Sequence, residues 1–167
     1  MRQVVVNDLV FGSGRMKICV PVCEKTTEAV LGAVKEIKTT PADLIEWRID
    51  HFTHVREPQH VRQALSDLRQ ILADIPLLFT FRSKKEGGET EISDEAYFEL
   101  NRRAAVSGLT DVIDIELFND EAQIRSLVSD AHAAGVKVIM SNHDFHKTPA
   151  QEDIIYRLRR MQDLGAD

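Results

Sequence analysis

The sequence predicts an α/β fold, a (β/α)8 barrel in which only the first five βα units are present, and two observations support it. Short β-rich runs alternate with helical patterns along the 167 residues, which is typical of parallel βαβ units. In four of the five runs one face is apolar and the other becomes polar toward the carboxyl end. An open parallel sheet is apolar on both faces, whereas a barrel opens inward to a polar mouth. A complete barrel has eight units in about 250 residues.

Five strands and five helices are predicted to alternate after an N-terminal β-hairpin. The hairpin takes residues 1–15, around the Asn-Asp pair at 7–8, and a single domain of five βα units takes residues 16–167. The strands are predicted over 17–22, 43–50, 76–82, 110–117 and 137–143. Each is followed by apolar residues at helical spacing. The fifth helix is predicted to begin with TPAQ (148–151), a capping box with proline at the first helical position.

Composition and charge indicate a globular domain and argue against several partners. Hydrophobic residues make up 43% and charged residues 29%, and the net charge is −6. An acidic chain is a poor partner for nucleic acid or an anionic membrane. No apolar run approaches the roughly 18 residues that span a bilayer, and the N-terminus lacks a signal-peptide pattern. Cys19 and Cys23 lie in one short strand-like run and are poorly placed for a disulfide, which predicts a reducing, cytoplasmic location.

The inward residues near the carboxyl ends of the strands are mostly charged. One interpretation is a buried salt-bridge network that only fills the barrel. Because burying many charges is costly unless they are paired, a site with tuned pKa values is favoured. Two arginines among them suit a substrate that is an anion or carries several hydroxyls. The residues are Glu46, Arg48, Arg82, Asp114, Glu116 and His143, with Glu86 in the following loop.

The stretch SNHDFHKTP (141–149) has three interpretations. His143 and His146 could be a metal pair, but H-x-x-H in a loop is a weak signal. His143 could also be an ordinary packed residue. A general acid/base at the barrel mouth is favoured, because His143 ends a barrel strand on the inward side. His146 and Lys147 are expected in a solvated turn.

The loop SKKEGGETE (83–91) connects Arg82 to the third helix. Gly87 and Gly88 predict mobility, so that the loop could close over a ligand. Glu86 could pair with His143 and orient its ring. A plain charged surface loop is the alternative.

Four segments in this order, EWRIDHF, LLFTFRSKKEGGE, DVIDIELF and IMSNHDFHKTP, closely resemble type I 3-dehydroquinate dehydratases of the shikimate pathway. The resemblance covers essentially the whole chain, including the hairpin, which in that family covers the bottom of the barrel. It implies a lyase that needs no metal or cofactor and forms an imine between a lysine and the C3 ketone of 3-dehydroquinate. A histidine then removes the C2 proton and protonates the departing C1 hydroxyl, which gives 3-dehydroshikimate and water.

Carried onto this sequence, the resemblance implies that His143 transfers the protons and that Glu86 supports it. Glu46, Arg48 and Arg82 match substrate-contacting positions. The imine-forming lysine belongs to the sixth strand of the family, beyond residue 167, so the 167-residue chain is expected to lack imine catalysis.

Two further expectations follow from the comparison of motifs. Pro21 stands where some family members have a serine near the substrate, so one polar contact is expected to be missing. The lysines of this chain are expected away from the imine position, with Lys84, Lys85 and Lys147 in loops and Lys17 and Lys137 at the amino ends of strands.

Two other classes of function remain open. The chain could be a non-catalytic binding or assembly module, since an open barrel edge invites pairing with another chain. It could also be a metal-dependent hydrolase built on His143 and His146. For the leading interpretation, the resemblance implies a small-molecule substrate, no metal or cofactor, a cytoplasmic location and a homodimer of the full-length protein.

Overall fold

Residues 3–167, which a computed structural model describes, form seven strands and five helices in the predicted alternation. No helix in this range is long and apolar enough to cross a membrane. Two short 3₁₀ turns lie at Ile49–His51 and Lys84–Glu86. The elements in chain order are β1 (Val4–Val6), β2 (Leu9–Phe11), β3 (Cys19–Val22), α1 (Thr27–Ile37), β4 (Leu44–Arg48), α2 (Pro58–Leu72), β5 (Leu77–Thr80), α3 (Asp94–Ala105), β6 (Val112–Glu116), α4 (Glu121–Ala133), β7 (Lys137–Ser141) and α5 (Gln151–Asp163).

The last five strands form one parallel sheet in the chain order β3-β4-β5-β6-β7. One helix joins each strand to the next, so every connection is a βαβ crossover. A doubly wound sheet reverses its strand order at a switch point, and this sheet does not. The predicted α/β fold with barrel strand order is confirmed.

The outer face of the sheet packs against the helices in a large hydrophobic core. Trp47, Phe79 and Ile113 come from three neighbouring strands and are fully buried. The rings of Trp47 and Phe79 meet edge to face with centroids 6.0 Å apart, a geometry that adds about 0.5–1.5 kcal/mol beyond burial. Because strand side chains alternate, this packing turns residues such as Glu46 and Asp114 to the inner face.

The N-terminal hairpin packs on the inner face at the amino ends of the strands. Its strands pair antiparallel across a turn at Asn7, whose φ of 50° is left-handed. Val6 packs with Leu44, Leu78 and Val112 in a second apolar cluster. The inner face is therefore apolar beneath the hairpin and polar toward the carboxyl ends, as the alternation predicts.

The start of α5 differs from the prediction, because Thr148 does not cap the helix. The helix begins at Gln151, and its N-cap residue makes no side-chain hydrogen bond. Asp144 instead accepts hydrogen bonds from the backbone N–H groups of His146 (3.1 Å) and Lys147 (3.2 Å). This local turn competes with helix formation and leaves the three residues before the helix irregular.

Candidate active site

The charged residues predicted for the barrel mouth do meet around the carboxyl ends of β4 to β7. Two positions differ, those of Arg82 and His143, because β5 and β7 end before the predicted strands do. The residues are Glu46 and Arg48 on β4, Arg82 just after β5, Glu86 in the loop that follows, Asp114 and Glu116 on β6, and His143 two residues after β7.

His143 and Glu86 form a direct pair. Nδ1 of His143 lies 2.9 Å from Glu86 Oε2, and the backbone N–H of His143 donates to the same oxygen at 3.1 Å. A carboxylate only accepts, so in the neutral ring Nδ1 carries the proton and Nε2 remains as a base. The Asn142 amide donates to Glu86 Oε1 at 3.3 Å. Glu86 therefore sets both the orientation and the tautomer of His143.

Arg82 is the centre of an ion-pair network. Its guanidinium nitrogens lie 2.9 Å from Asp114 Oδ1 and 2.9 Å from Glu116 Oε1. It also donates to Ser141 Oγ at 2.8 Å, and that hydroxyl donates onward to Asp114. Arg82 is 6% exposed. Around Arg82, the mouth thus contains a buried salt-bridge network, which was the alternative to a substrate site. The substrate-binding role of Arg82 stays a prediction.

Arg48 pairs with Asp50, a residue that sequence reasoning left out of the site. Two nitrogens of Arg48 donate to the two carboxylate oxygens at 2.8 and 2.9 Å. Asp50 also accepts from the backbone N–H of Glu89 at 3.0 Å, which ties the loop after β5 to β4. Burial raises the pKa of Asp50, but Arg48 and the Glu89 N–H outweigh it and bring the pKa below its ordinary value. The alternation along the strand could have placed Asp50 in the site, because Asp50 continues the inward series of Glu46 and Arg48.

The loop after β5 is closely packed, and its two glycines serve that packing. Gly87 has a φ of 84°, and a Cβ there would lie 2.6 Å from the ring of Phe145. A Cβ at Gly88 would lie 1.8 Å from the carbonyl oxygen of Arg82. The Phe145 ring in turn stacks on His143 with centroids 6.0 Å apart. Where the sequence predicts mobility for these glycines, the structure shows close approach of the loop to its neighbours.

Replacing Gly87 with alanine is expected to displace Phe145 from His143. The new methyl group would overlap the ring, which is 68% exposed and has room to rotate away. A side chain at this φ also costs about 1–2 kcal/mol. G108A is the matched control, because Gly108 has a φ of 72° but open space at its Cβ. In NMR spectra the His143 ring resonances should move in G87A and stay in place in G108A; the same spectrum in both would contradict the packing role.

Asp114 is buried, and its pKa lies above the ordinary value of an aspartate. Burial raises its pKa to about 6, and the Arg82 charge and the Ser141 hydroxyl offset only part of that rise. The ordinary value is 3.8, so the folded chain binds this proton more tightly than the unfolded chain. The stability contributed by Asp114 is therefore fully present below about pH 4 and is lost as the pH rises through 6.

The wild-type chain should lose about 3 kcal/mol of unfolding free energy relative to D114N between pH 3 and 7, as the raised pKa implies. Urea unfolding of both chains at several pH values measures this difference. D43N is a control of opposite sign, because the Ile18 N–H and then Arg15 lower the pKa of Asp43. The wild type should lose stability relative to D43N as the pH falls below about 4. A D114N difference that does not change with pH would contradict the assignment.

The mouth carries an excess of negative charge. Five carboxylates (Glu46, Asp50, Glu86, Asp114 and Glu116) face two guanidinium groups, and both guanidinium groups already pair with carboxylates. Within residues 3–167, the carboxylate of Glu46 has no hydrogen-bond or ion-pair partner. The interpretation that two arginines await an anion is therefore weakened, whereas a cation here would be stabilised.

The lysines with defined contacts lie away from this mouth, as expected. Lys84 and Lys85 are exposed, and Lys85 pairs with Asp94 at 3.0 Å. Lys137 begins β7 at the opposite end of the barrel and pairs with Asp167 at 3.2 Å.

The metal pair of His143 and His146 has no support in the geometry. Among residues 3–167, the cluster whose donor atoms converge for a metal is His54, Glu57 and His60. His143 instead directs Nδ1 to a carboxylate, and His146 lies in the local turn before α5.

Comparison with known proteins decides the family. The family model for type I 3-dehydroquinase matches residues 18–167. The chain belongs to this family. A 3-dehydroquinate dehydratase of Klebsiella pneumoniae subsp. pneumoniae is 70% identical over 164 residues, which are 98% of this chain and 65% of that protein. One of Listeria innocua is 52% identical over 100% of this chain and 66% of its own length.

Solved structures of type I 3-dehydroquinases agree with the family assignment. The type I 3-dehydroquinate dehydratase of Clostridium difficile superimposes with a TM-score of 0.97 at 48% identity, over 99% of this chain and 65% of that one. This type I 3-dehydroquinase chain thus spans about 65% of the length of the relatives it matches.

Proposed function

We propose that this chain carries the proton-transfer part of a type I 3-dehydroquinate dehydratase, a carbon–oxygen lyase. The observation that carries the proposal is the pair of His143 Nδ1 and Glu86 Oε2 at 2.9 Å. The pair lies at the carboxyl-end mouth, where barrel enzymes hold their active sites. The substrate is 3-dehydroquinate, and the products are 3-dehydroshikimate and water.

The reaction begins with an imine between a lysine amine and the C3 ketone, which releases one water. In this family the lysine belongs to the strand after β7. The protonated imine is an electron sink that makes the neighbouring C2–H acidic. The surplus of carboxylates in the mouth stabilises this cation electrostatically.

His143 then acts first as a base and then as an acid, with the same proton. Nε2 removes the C2 proton, and the electron pair passes into the iminium to give an enamine. The enamine expels the C1 hydroxyl, which takes the proton back from His143 and leaves as water. A further water hydrolyses the iminium, which releases 3-dehydroshikimate and restores the lysine.

Glu46, Arg48 and Arg82 are proposed to contribute to substrate binding, the first two by direct contact and Arg82 through the residues that it holds. The unpaired carboxylate of Glu46 can accept hydrogen bonds from substrate hydroxyls. Among the residues that the structure describes, Nη1 of Arg48 has no hydrogen-bond partner, because the pairing with Asp50 uses Nε and Nη2. Arg82, with little exposed surface, contributes mainly by holding the carboxylates around it.

The test compares the 167-residue chain with an extended chain in which the remaining C-terminal part of the Klebsiella relative follows residue 167. Each is incubated with 3-dehydroquinate and sodium borohydride, which reduces an imine to a stable amine, and its intact mass is measured. A substrate-sized adduct is expected on the extended chain only. An adduct on both would place the imine lysine within residues 1–167, and an adduct on neither would overturn the proposed chemistry.

The proposal extends to location and assembly. The thiols of Cys19 and Cys23 are free and exposed, which suits a reducing cytoplasm. Partial burial, and then the Glu46 carboxylate, raise the pKa of Cys19 to about 11, which disfavours its thiolate. Acidic composition argues against a nucleic-acid partner. Self-association, as a homodimer of the full-length protein, is proposed from the family resemblance, and light scattering would test it.

An assembly role is the second candidate, and one observation favours it. The helix α5 has no buried residue, and its apolar side chains, Ile154, Ile155, Tyr156 and Leu158, are 37–60% exposed. Apolar surface of this kind often marks an interaction site. The 167-residue chain should then associate in solution, whereas a monodisperse monomer by light scattering would remove this candidate.

A further inference from the structure

His54, Glu57 and His60 form a compact cluster outside the proposed active site. Nδ1 of His54 lies 2.7 Å from Glu57 Oε1, and Nδ1 of His60 lies 2.8 Å from Glu57 Oε2. The two imidazole rings are stacked, with centroids 4.6 Å apart and planes inclined by 21°. One donor atom from each residue lies within 4.8 Å of the other two. Two ring nitrogens and a carboxylate oxygen thus lie close together on the surface.

The backbone brings these three side chains together. The N–H of Glu57 donates to the carbonyl of His54 at 2.9 Å, which closes a turn between them. Glu57 is the N-cap residue of α2, and His60 follows three residues later on the same side of the first helical turn. The sequence HVREPQH therefore places a histidine three residues before and three residues after one glutamate.

Glu57 does not use its side chain for the helix that it begins. An N-cap side chain ordinarily accepts a hydrogen bond from the second or third backbone N–H of the helix. The carboxylate of Glu57 makes no such bond and is directed to the two histidines instead. Its orientation is thus set by the cluster.

We propose that His54, Glu57 and His60 bind a divalent transition-metal ion, with Zn²⁺ as the best match. Imidazole nitrogens and a carboxylate oxygen are preferred Zn²⁺ ligands, and three protein ligands leave a fourth position for water. Tetrahedral ligands at about 2.0–2.2 Å from zinc lie roughly 3.4 Å apart. The donor atoms need only small shifts to reach this spacing, which their exposed side chains permit.

Each histidine must present a lone pair at Nδ1 to bind the metal. In the neutral ring this requires the tautomer with its proton on Nε2. The metal then replaces the two N–H···O hydrogen bonds to Glu57 with direct bonds. The proposal is independent of the lyase activity, because none of these residues belongs to the His143 site.

Calorimetric titration of the 167-residue chain with Zn²⁺ tests the proposal. One ion per chain is expected. His54→Gln or His60→Gln should weaken binding by at least about tenfold, since even indirect partners of a metal are worth about 10- to 100-fold in affinity. His146→Gln is the matched control, because it removes an exposed histidine outside the cluster and should bind as the wild type does. A C19S/C23S chain, which removes both free thiols, should also bind unchanged.

NMR of the histidine rings provides an independent readout. Zn²⁺ should shift the resonances of His54 and His60 and leave those of His132 and His143 in place. Tight binding that survives in the His54→Gln/His60→Gln chain would overturn the proposal, and so would binding lost only in C19S/C23S. A wild-type chain that binds no Zn²⁺ at all would overturn it as well.

Discussion

Replacing His143 with alanine in the extended chain is expected to lower kcat for 3-dehydroquinate by about 10²- to 10⁴-fold, which is the usual contribution of general acid–base catalysis. Nε2 of His143 is the base left by the hydrogen bond between Nδ1 and Glu86. The imine itself forms at the lysine, so borohydride should still trap the substrate on the variant. Turnover measured by product absorbance, alongside intact mass after trapping, separates the two steps.

Two further variants make this result specific. His146→Ala removes an exposed histidine from the same loop, and its turnover should stay close to that of the extended parent. Glu86→Gln keeps an oxygen that can accept from His143 but loses the negative charge, so its loss should lie between the other two. Equal losses in His143→Ala and His146→Ala would contradict the assignment, as would full turnover in His143→Ala.

The strand faces were predictable because alternation in a strand is a strict geometric rule. Trp47 and Phe79 had to share the outer face once helices covered it, and Glu46, Arg48 and Asp114 followed inward. Parity along a strand needs no knowledge of the neighbouring strands. The barrel architecture was predictable for the same reason. Each strand has only one apolar face, so helices can cover only one side of the sheet.

The pairing of charges at the mouth could not be predicted in this way. Whether Arg82 reaches Asp114 or a ligand depends on strand register, tilt and the backbone path after β5, and none of these is written in one segment of sequence. The same holds for Asp50, whose partner Glu89 lies 39 residues away in the chain. Likewise, the TPAQ segment has the composition of a helix start, but the turn made by Asp144 competes with it locally.

The second large effect concerns stability. Arg82→Met is expected to lower the free energy of unfolding by about 3–5 kcal/mol at pH 7, because it leaves Asp114 and Glu116 buried without their cation. Methionine keeps much of the side-chain volume, so the loss reports the charge and not a cavity. Urea unfolding followed by circular dichroism gives the difference from the midpoint and the slope.

Arg103→Met is the matched control, because it breaks an ion pair with Glu99 whose side chains are 56% and 49% exposed. Such a surface pair contributes about 0–1 kcal/mol. The loss of unfolding free energy should therefore be several-fold larger in Arg82→Met than in Arg103→Met. The cost of Arg82→Met should also shrink as the pH falls, because protonation of Asp114, whose pKa burial raises to about 6, removes uncompensated charge. An Arg82→Met chain that is as stable as Arg103→Met would show that the guanidinium does not hold this network together. If the loss of unfolding free energy in Arg82→Met does not change with pH, lost packing and not lost charge is its cause.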